Sequence, residues 1–234
     1  KQETFASFAL KEMDSELYIM SFDKYLEKIL SEDKEFIEDA KYKNSYEIIE
    51  DLDNLVKEMD KDYFHVEDVK YFGDLVISKE EIEEMFNKHY EYMPLFRRSE
   101  KIKRIILSKI KDKRDQKVWE LNEELRKEKE KLTPEELLIE ENNLEFRRKL
   151  RIREIVKEVM DSRAKLDSWI SREDVLDIYD RFNGNKKEYT INDLAPILYL
   201  AIKLEGKKAT KDYRHVVIDE AQDYSPLQFK VVRE

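Results

Sequence analysis

The run richest in chemistry lies near the C-terminus: Val216-Val217-Ile218-Asp219-Glu220-Ala221-Gln222-Asp223, with Gln228 beyond it. A β-branched apolar triplet predicts a buried strand. Two adjacent carboxylates at its exit would stand at the C-terminal rim, where open α/β sheets bind ligands. Successive strand side chains point to opposite faces, but the backbone bends at a strand exit, so Asp219 and Glu220 can converge on one pocket. The chemistry that suits such a pair is phosphoryl transfer from a nucleotide, which needs a magnesium ion and an oriented water. Asp219 is the expected magnesium holder, through water. Glu220 is expected to orient and deprotonate the attacking water. Gln222 is placed to sense the γ-phosphate, and Asp223 to serve as a further metal ligand or a structural support. A bare apolar-Asp-Glu is weak evidence in a chain with 55 acidic residues. Joined to Ala221-Gln222-Asp223 it weighs against the plainer reading, an acidic loop after a core strand.

Other chemistry is missing. A phosphate-cradling loop needs G-x-x-x-x-G-K-[ST], and the three glycines, Gly73, Gly184 and Gly206, cannot form it. Gly206-Lys207-Lys208 follows a predicted helix and has Ala201 where the earlier glycine belongs. These residues alone are therefore expected to hydrolyse no nucleotide. The chain has no Cys, and His65, His89 and His215 are scattered, so neither a zinc site nor a cysteine nucleophile is expected. Trp119 and Trp169 read as core or hairpin packing, and Tyr189, Tyr199 and Tyr213 as residues buried against the sheet.

The elements that must position these groups are mostly helical. Only 3 Gly and 4 Pro occur in 234 residues, and 43% of residues are charged, a composition unlike a loop-rich or all-β protein. The longest apolar run, Ala195 to Ile202, is 8 residues, too short to cross a bilayer. Net charge is -10, so bulk charge does not draw the chain to nucleic acid. Apolar spacing predicts helices over 3–13, from Ser21 to Leu30 and from about Ser45 to Met59. Tyr63 to Ile77 reads as a small β-hairpin or two short strands, with Gly73 and Asp74 between them. Ser78-Lys79-Glu80-Glu81 and Thr133-Pro134-Glu135-Glu136 are capping-box starts. Two long helices, Pro94 to Leu132 and Pro134 toward Ser162, read as an antiparallel hairpin of coiled-coil character without sustained heptads. Ser171-Arg172-Glu173-Asp174 caps a short helix ending near Asn183-Gly184. Ile191 to Leu204 is an apolar helix stopped by Gly206, and Ser225-Pro226 opens a last one. The expected fold is mainly α with a small α/β part.

The acidic run resembles motif II, the Walker B motif D-E-x-Q-D, of UvrD/Rep-like superfamily 1 helicases. Tyr189-Thr190-Ile191-Asn192-Asp193-Leu194 is similar to the helix start that precedes motif II there, and Gln228 to a downstream Gln. Thr4-Phe5-Ala6-Ser7-Phe8-Ala9 resembles the T-F-H-S-L/F motif, with Ala6 in place of His. Phe64-His65-Val66-Glu67-Asp68, Tyr71-Phe72-Gly73-Asp74, Tyr92-Met93-Pro94-Leu95 and Asp223-Tyr224-Ser225-Pro226-Leu227-Gln228-Phe229 are similar to HelD-type ATPases. The resemblance implies part of a RecA-like P-loop NTPase domain with a large helical insertion: 1–15 and 186–234 in the RecA-like domain, 16–185 in the insert. It implies ATP and Mg2+ as cofactors of a bacterial, cytoplasmic factor that binds RNA polymerase and uses ATP to release or recycle stalled complexes. Because the sequence opens at Lys1 and lacks the P-loop, a longer parent protein is expected. Two alternatives stand beside this: a UvrD/Rep-type DNA helicase or translocase, and a non-catalytic helical interaction module.

The resemblance places Thr4 and Phe5 near single-stranded nucleic acid. Basic residues crowd the first long helix, Arg97, Arg98, Lys101 and Arg104 among them, and Arg147, Arg148 and Arg151 crowd the second. One reading is a solvated face with i,i+4 partners. The other is contact with DNA or with an acidic polymerase surface.

Overall fold

A computed structural model describes residues 4–13, 19–170, 173–185, 188–206 and 215–233. The chain forms two compact units: Lys1–Tyr63, Met93–Arg97 and Arg172–Glu234 in one, Phe64–Tyr92 and Arg98–Ser171 in the other. These units are drawn by packing, whereas the boundaries at 16 and 185 are those that the resemblance implies. The helices just after residue 20 and the one before Gly184 group with the chain ends, and the latter buries Val175, Ile178 and Tyr179 there.

The first unit contains α1 (Phe5–Glu12), α2 (Phe22–Leu30), α3 (Lys34–Lys43) and α4 (Glu47–Asp62). Helix α3 escaped the sequence reading: Asp33 caps it by accepting from the Phe36 amide, but its few apolar residues make a short stripe. The unit also holds the C-terminal helices. Taking the other unit's helices as α5 to α7, these are α8 (Val175–Phe182), α9 (Leu194–Glu205) and α10 (Pro226–Arg233). Helix α9 is the centre of the unit. Its side chains are buried nearly all round, as expected of an apolar helix enclosed by others, and it packs against α1, α4, α8 and α10. The run Ala195–Ile202 is thus a core helix, and no described helix is long and apolar enough to cross a membrane. Gly206 ends α9 at φ 63°, in the left-handed region, as its position predicts. Helix α8 is capped by Asp174 rather than Ser171, with Asp174 and Asp177 forming the capping box; Ser171 lies outside the described residues, as do Lys207, Lys208 and Tyr213.

One expectation fails here. Val216-Val217-Ile218 is not a strand, and Val217 is 93% exposed. A strand needs a neighbour for its backbone groups, and no described segment pairs with this one. Branched side chains favour extended backbone but cannot supply that partner. Tyr199 is buried as expected, yet within α9 rather than against a sheet.

The second unit opens with the antiparallel pair β1 (Val69–Tyr71) and β2 (Asp74–Ile77). Phe72 and Gly73 both have positive φ, 49° and 85°, as a two-residue hairpin turn requires. Helix α5 (Lys79–Glu84) starts with the Ser78–Glu81 capping box and runs into a π turn, Met85–His89. Helices α6 (Leu95–Lys129) and α7 (Pro134–Ser168) follow, α7 opened by the Thr133–Glu136 capping box with Pro134 in its first turn. They run antiparallel: Asn122 accepts from Arg148 Nε at 3.0 Å, while Lys103 pairs with Asp167 nearer the other end. Ile102, Ile106 and Ile110 are buried on one face of α6. On α7 the buried positions Leu144, Ile155 and Leu166 recur at eleven-residue intervals. That period, about 3.67 residues per turn, keeps one side of a nearly straight helix inward, which is why heptads are not sustained. Tyr71 ties the hairpin to α7, its buried hydroxyl donating to the Ile155 carbonyl at 2.9 Å. Trp169 is buried against Phe64, but Trp119 is 63% exposed and packs no core; it lies on the side of α6 away from Ile102, Ile106 and Ile110.

Candidate functional site

The acidic run is a short 3-10 turn, Ala221–Asp223, leading through Tyr224 into α10. Glu220 enters it in left-handed backbone, φ 49° and ψ 48°, a conformation that costs a non-glycine residue about 1–2 kcal/mol. Asp219 Oδ1 accepts from the Glu220 amide at 3.0 Å, and Gln222 Nε2 donates to the Glu220 carboxylate. Asp219, Glu220, Gln222 and Asp223 are all exposed. The expected sheet rim beneath them is absent among the described residues, so the turn rests on helices instead. Gln228 serves the backbone. Its Oε1 accepts from the Ser225 amide at 2.8 Å while its own amide donates to Ser225 Oγ. That is a capping box opening α10.

The two ends of the chain meet at this turn. Phe5, buried in α1, meets the Tyr224 ring edge-on at 6.1 Å, and Tyr224 lies 5.6 Å from Phe229. Thr4 caps α1 by accepting from the Ser7 amide. Sequence spacing could not show that Thr4-Phe5 and Asp219–Asp223 are neighbours; packing on α9 brings them together.

Magnesium makes a fair test of the donor set. No three or more carboxylate or imidazole groups among the described residues gather to hold a metal ion. Magnesium commonly binds through one or two carboxylates, retained waters and substrate phosphates. Asp219, whose second oxygen accepts no hydrogen bond from the described residues, fits that partial set; a cage made by protein alone does not.

The basic residues divide. Arg98 is a correction to the expected contact patch: it is buried, its guanidinium lies over the Phe86 ring at 4.7 Å, and it donates to the Glu91 carbonyl. Burial over an aromatic ring satisfies the cation inside the unit. Arg97, Lys101 and Arg104 are not enclosed in this way and all stand exposed on α6. Arg147 pairs with Glu128 across the hairpin at 2.6 Å, Arg148 bonds Asn122, and Arg151 pairs with Glu154 on its own helix at 2.8 Å. These three therefore help to hold or dress the hairpin.

Sequence reasoning missed a buried polar hub at the start of α9. The fully buried Asp193 carboxylate accepts from the Thr190 amide at 2.6 Å, from Thr190 Oγ1 at 2.7 Å and from the Tyr179 hydroxyl at 2.5 Å. Lys43, also buried, pairs with Asp193 at 2.5 Å and with Asp39 at 2.7 Å. Burial, and then the Asp193 charge, push the Tyr179 hydroxyl far above the ordinary tyrosine range, so it stays a donor. The Thr-x-x-Asp spacing was a signal for the cap; nothing in the sequence marked Lys43. A cavity of about 360 Å³ lies alongside, lined by Met20, Lys28, Asp33, Phe36, Lys43 and Thr190 among others. No buried side-chain polar atom among the described residues lacks a partner, so no unsatisfied buried group turns toward this cavity.

Comparison of the chain with protein-family models, with curated proteins and with solved structures finds no match in any of the three.

Proposed function

We propose that this chain carries the water- and magnesium-handling part of an ATPase site of the superfamily 1 helicase type, within a protein resembling the HelD-type factors that act on RNA polymerase. The observation that supports this best is the meeting of Thr4-Phe5 with the Asp219–Asp223 turn through the Phe5–Tyr224 contact. Two segments that resemble motifs of one family lie far apart in sequence and close together in the unit. In this reading Asp219 holds magnesium through water. The ion, when bound with ATP, neutralises phosphate charge. Glu220 accepts the proton of the water that attacks the γ-phosphorus, and ADP leaves with the electron pair of the broken bond. The Gln222 amide, already donating to Glu220, fixes the carboxylate's direction and is positioned to respond to the γ-phosphate.

The test is steady-state ATP turnover by a protein in which this chain is joined to a G-x-x-x-x-G-K-[ST] segment. Glu220→Gln is expected to lower kcat by about 10²–10⁴-fold while nucleotide affinity stays within about threefold. The 234 residues alone are expected to show no turnover. Equal turnover by the Glu220→Gln variant rejects the assignment. Salt-dependent capture of purified RNA polymerase, without strand separation, separates the HelD-type reading from a DNA helicase.

A second reading has its own support. The carboxylates are exposed and no described strand lies under them, as in a helical interaction module whose Asp-Glu-Ala-Gln-Asp is fortuitous. Absence of magnesium-dependent ATP binding in the joined protein favours that module.

A further inference from the structure

Helix α7 buries Leu144, Ile155 and Leu166, yet its opposite side is also apolar. At about 100° per residue, Phe146, Leu150, Arg153, Lys157 and Met160 share one face, with Val156 at its edge, and Ile155 lies half a turn from Phe146. Phe146 is 62% exposed and Met160 66%; Leu150 and Val156 are exposed as well. The face therefore has no partner within its own unit. Arg153 and Lys157 sit in the middle of it and form no ion pair among the described residues, unlike Arg147 and Arg151 beside them. The strip is about 21 Å long, roughly four helical turns.

We propose that this face of α7, from Phe146 to Met160, is a docking strip for an acidic amphipathic helix of another protein. Four exposed apolar side chains at helical spacing match an apolar helical stripe laid along them. Two unpaired cations lie in the middle of that stripe, and the carboxylate at its edge, Glu154, is already paired with Arg151, so the strip selects a partner carrying acids between its apolar positions. A second copy of the same strip is a poor occupant, because antiparallel pairing would bring Arg153 and Lys157 against like charges. An anionic lipid surface is poor as well: a membrane meets the whole molecule, and the net charge of -10 opposes approach to an extended sheet of like charge. The inference stands on α7 alone and does not depend on the nucleotide reading.

The full 234-residue chain is titrated into a fluorescent, capped helical peptide of about 14 residues, with Leu at i, i+4, i+7 and i+11 and Glu between them. A second peptide carries Lys for each Glu. The acidic peptide is expected to bind, and Arg153→Glu with Lys157→Glu to weaken it about tenfold or more. Phe146→Ser with Leu150→Ser is expected to abolish binding. All four positions are exposed, so circular dichroism should show unchanged helix content. A variant that loses helix is replaced by Arg153→Gln with Lys157→Gln, which keeps the stem length and is expected to weaken binding by a smaller factor in the same direction. Binding of both peptides alike, binding of neither, or undiminished binding by the charge variants overturns the proposal. So does a dimer in light scattering that Phe146→Ser removes, which would make a second copy the occupant. Retention of the chain on vesicles of phosphatidylcholine and phosphatidylserine that the acidic peptide fails to displace overturns it in favour of lipid.

Discussion

A carboxylate with no solvent contact is tolerated at Asp193 because Lys43, Tyr179 and Thr190 all direct hydrogens at it. Removing it leaves Lys43 buried with only Asp39. Asp193→Ala is therefore expected to destabilise the first unit by about 3–5 kcal/mol, read as a fall in the urea midpoint. Adding Lys43→Met should recover part of that loss, since no uncompensated cation then remains. Asp53 behaves differently because it is only partly buried. Burial acts to raise its pKa, but the Tyr199 hydroxyl and Lys230 outweigh burial and hold it below the usual carboxylate range. A carboxyl lowered on folding contributes stability above its unfolded value, about 3.9, and loses it as pH falls through the lower folded value. The melting temperature of Asp53→Asn is thus expected to lie below that of the parent near neutral pH, and the gap to close below about pH 4. A gap that stays constant through the acid range would show that Asp53 is not the titrating group.

Among the elements, the end of α9 is the one most sharply constrained by its backbone. Gly206 has φ 63°, and a Cβ there would stand 2.6 Å from Pro94 Cγ. Left-handed backbone alone costs an alanine about 1–2 kcal/mol, and the proline ring must also shift. Gly206→Ala is expected to lower the unfolding free energy by at least about 1–2 kcal/mol, measured by chemical denaturation; an unchanged midpoint would mean the loop can adopt another path. The helix starts follow the same local logic, and Ser78, Thr133 and Asp174 each close a capping box. At the acidic turn local logic was insufficient. A β-branched triplet became exposed irregular chain, since the pairing that makes a strand belongs to its neighbours.

For the molecule as a whole, a net charge of -10 sets the terms of any contact with nucleic acid. Lys101 and Arg104 form a local basic surface on α6 of an acidic chain. Duplex DNA is expected to bind weakly near 50 mM salt and to be lost by about 200 mM, as counterion release requires. Lys101→Glu with Arg104→Glu should abolish the low-salt binding in an anisotropy titration. No binding by the parent chain at low salt removes this surface from consideration.

By itself the sequence determined most of the helix content, the long hairpin, a hairpin turn at Gly73 though one residue later than Phe72-Gly73, the Ser78 and Thr133 caps and the apolar helix that carries the Ala195–Ile202 run. All of these follow from residues within a few positions of one another, through periodicity, capping spacing and positive-φ turns. It also displayed Asp219, Glu220, Gln222 and Asp223 as a group, because they are adjacent. Tertiary structure alone decided that Phe5 meets Tyr224, that Lys43 reaches Asp193, that Arg98 turns inward over Phe86 and that Val217 faces solvent. Each of these depends on which surfaces remain once α9 and the α6–α7 hairpin have been covered, and that is a property of packing between distant segments rather than of any local run.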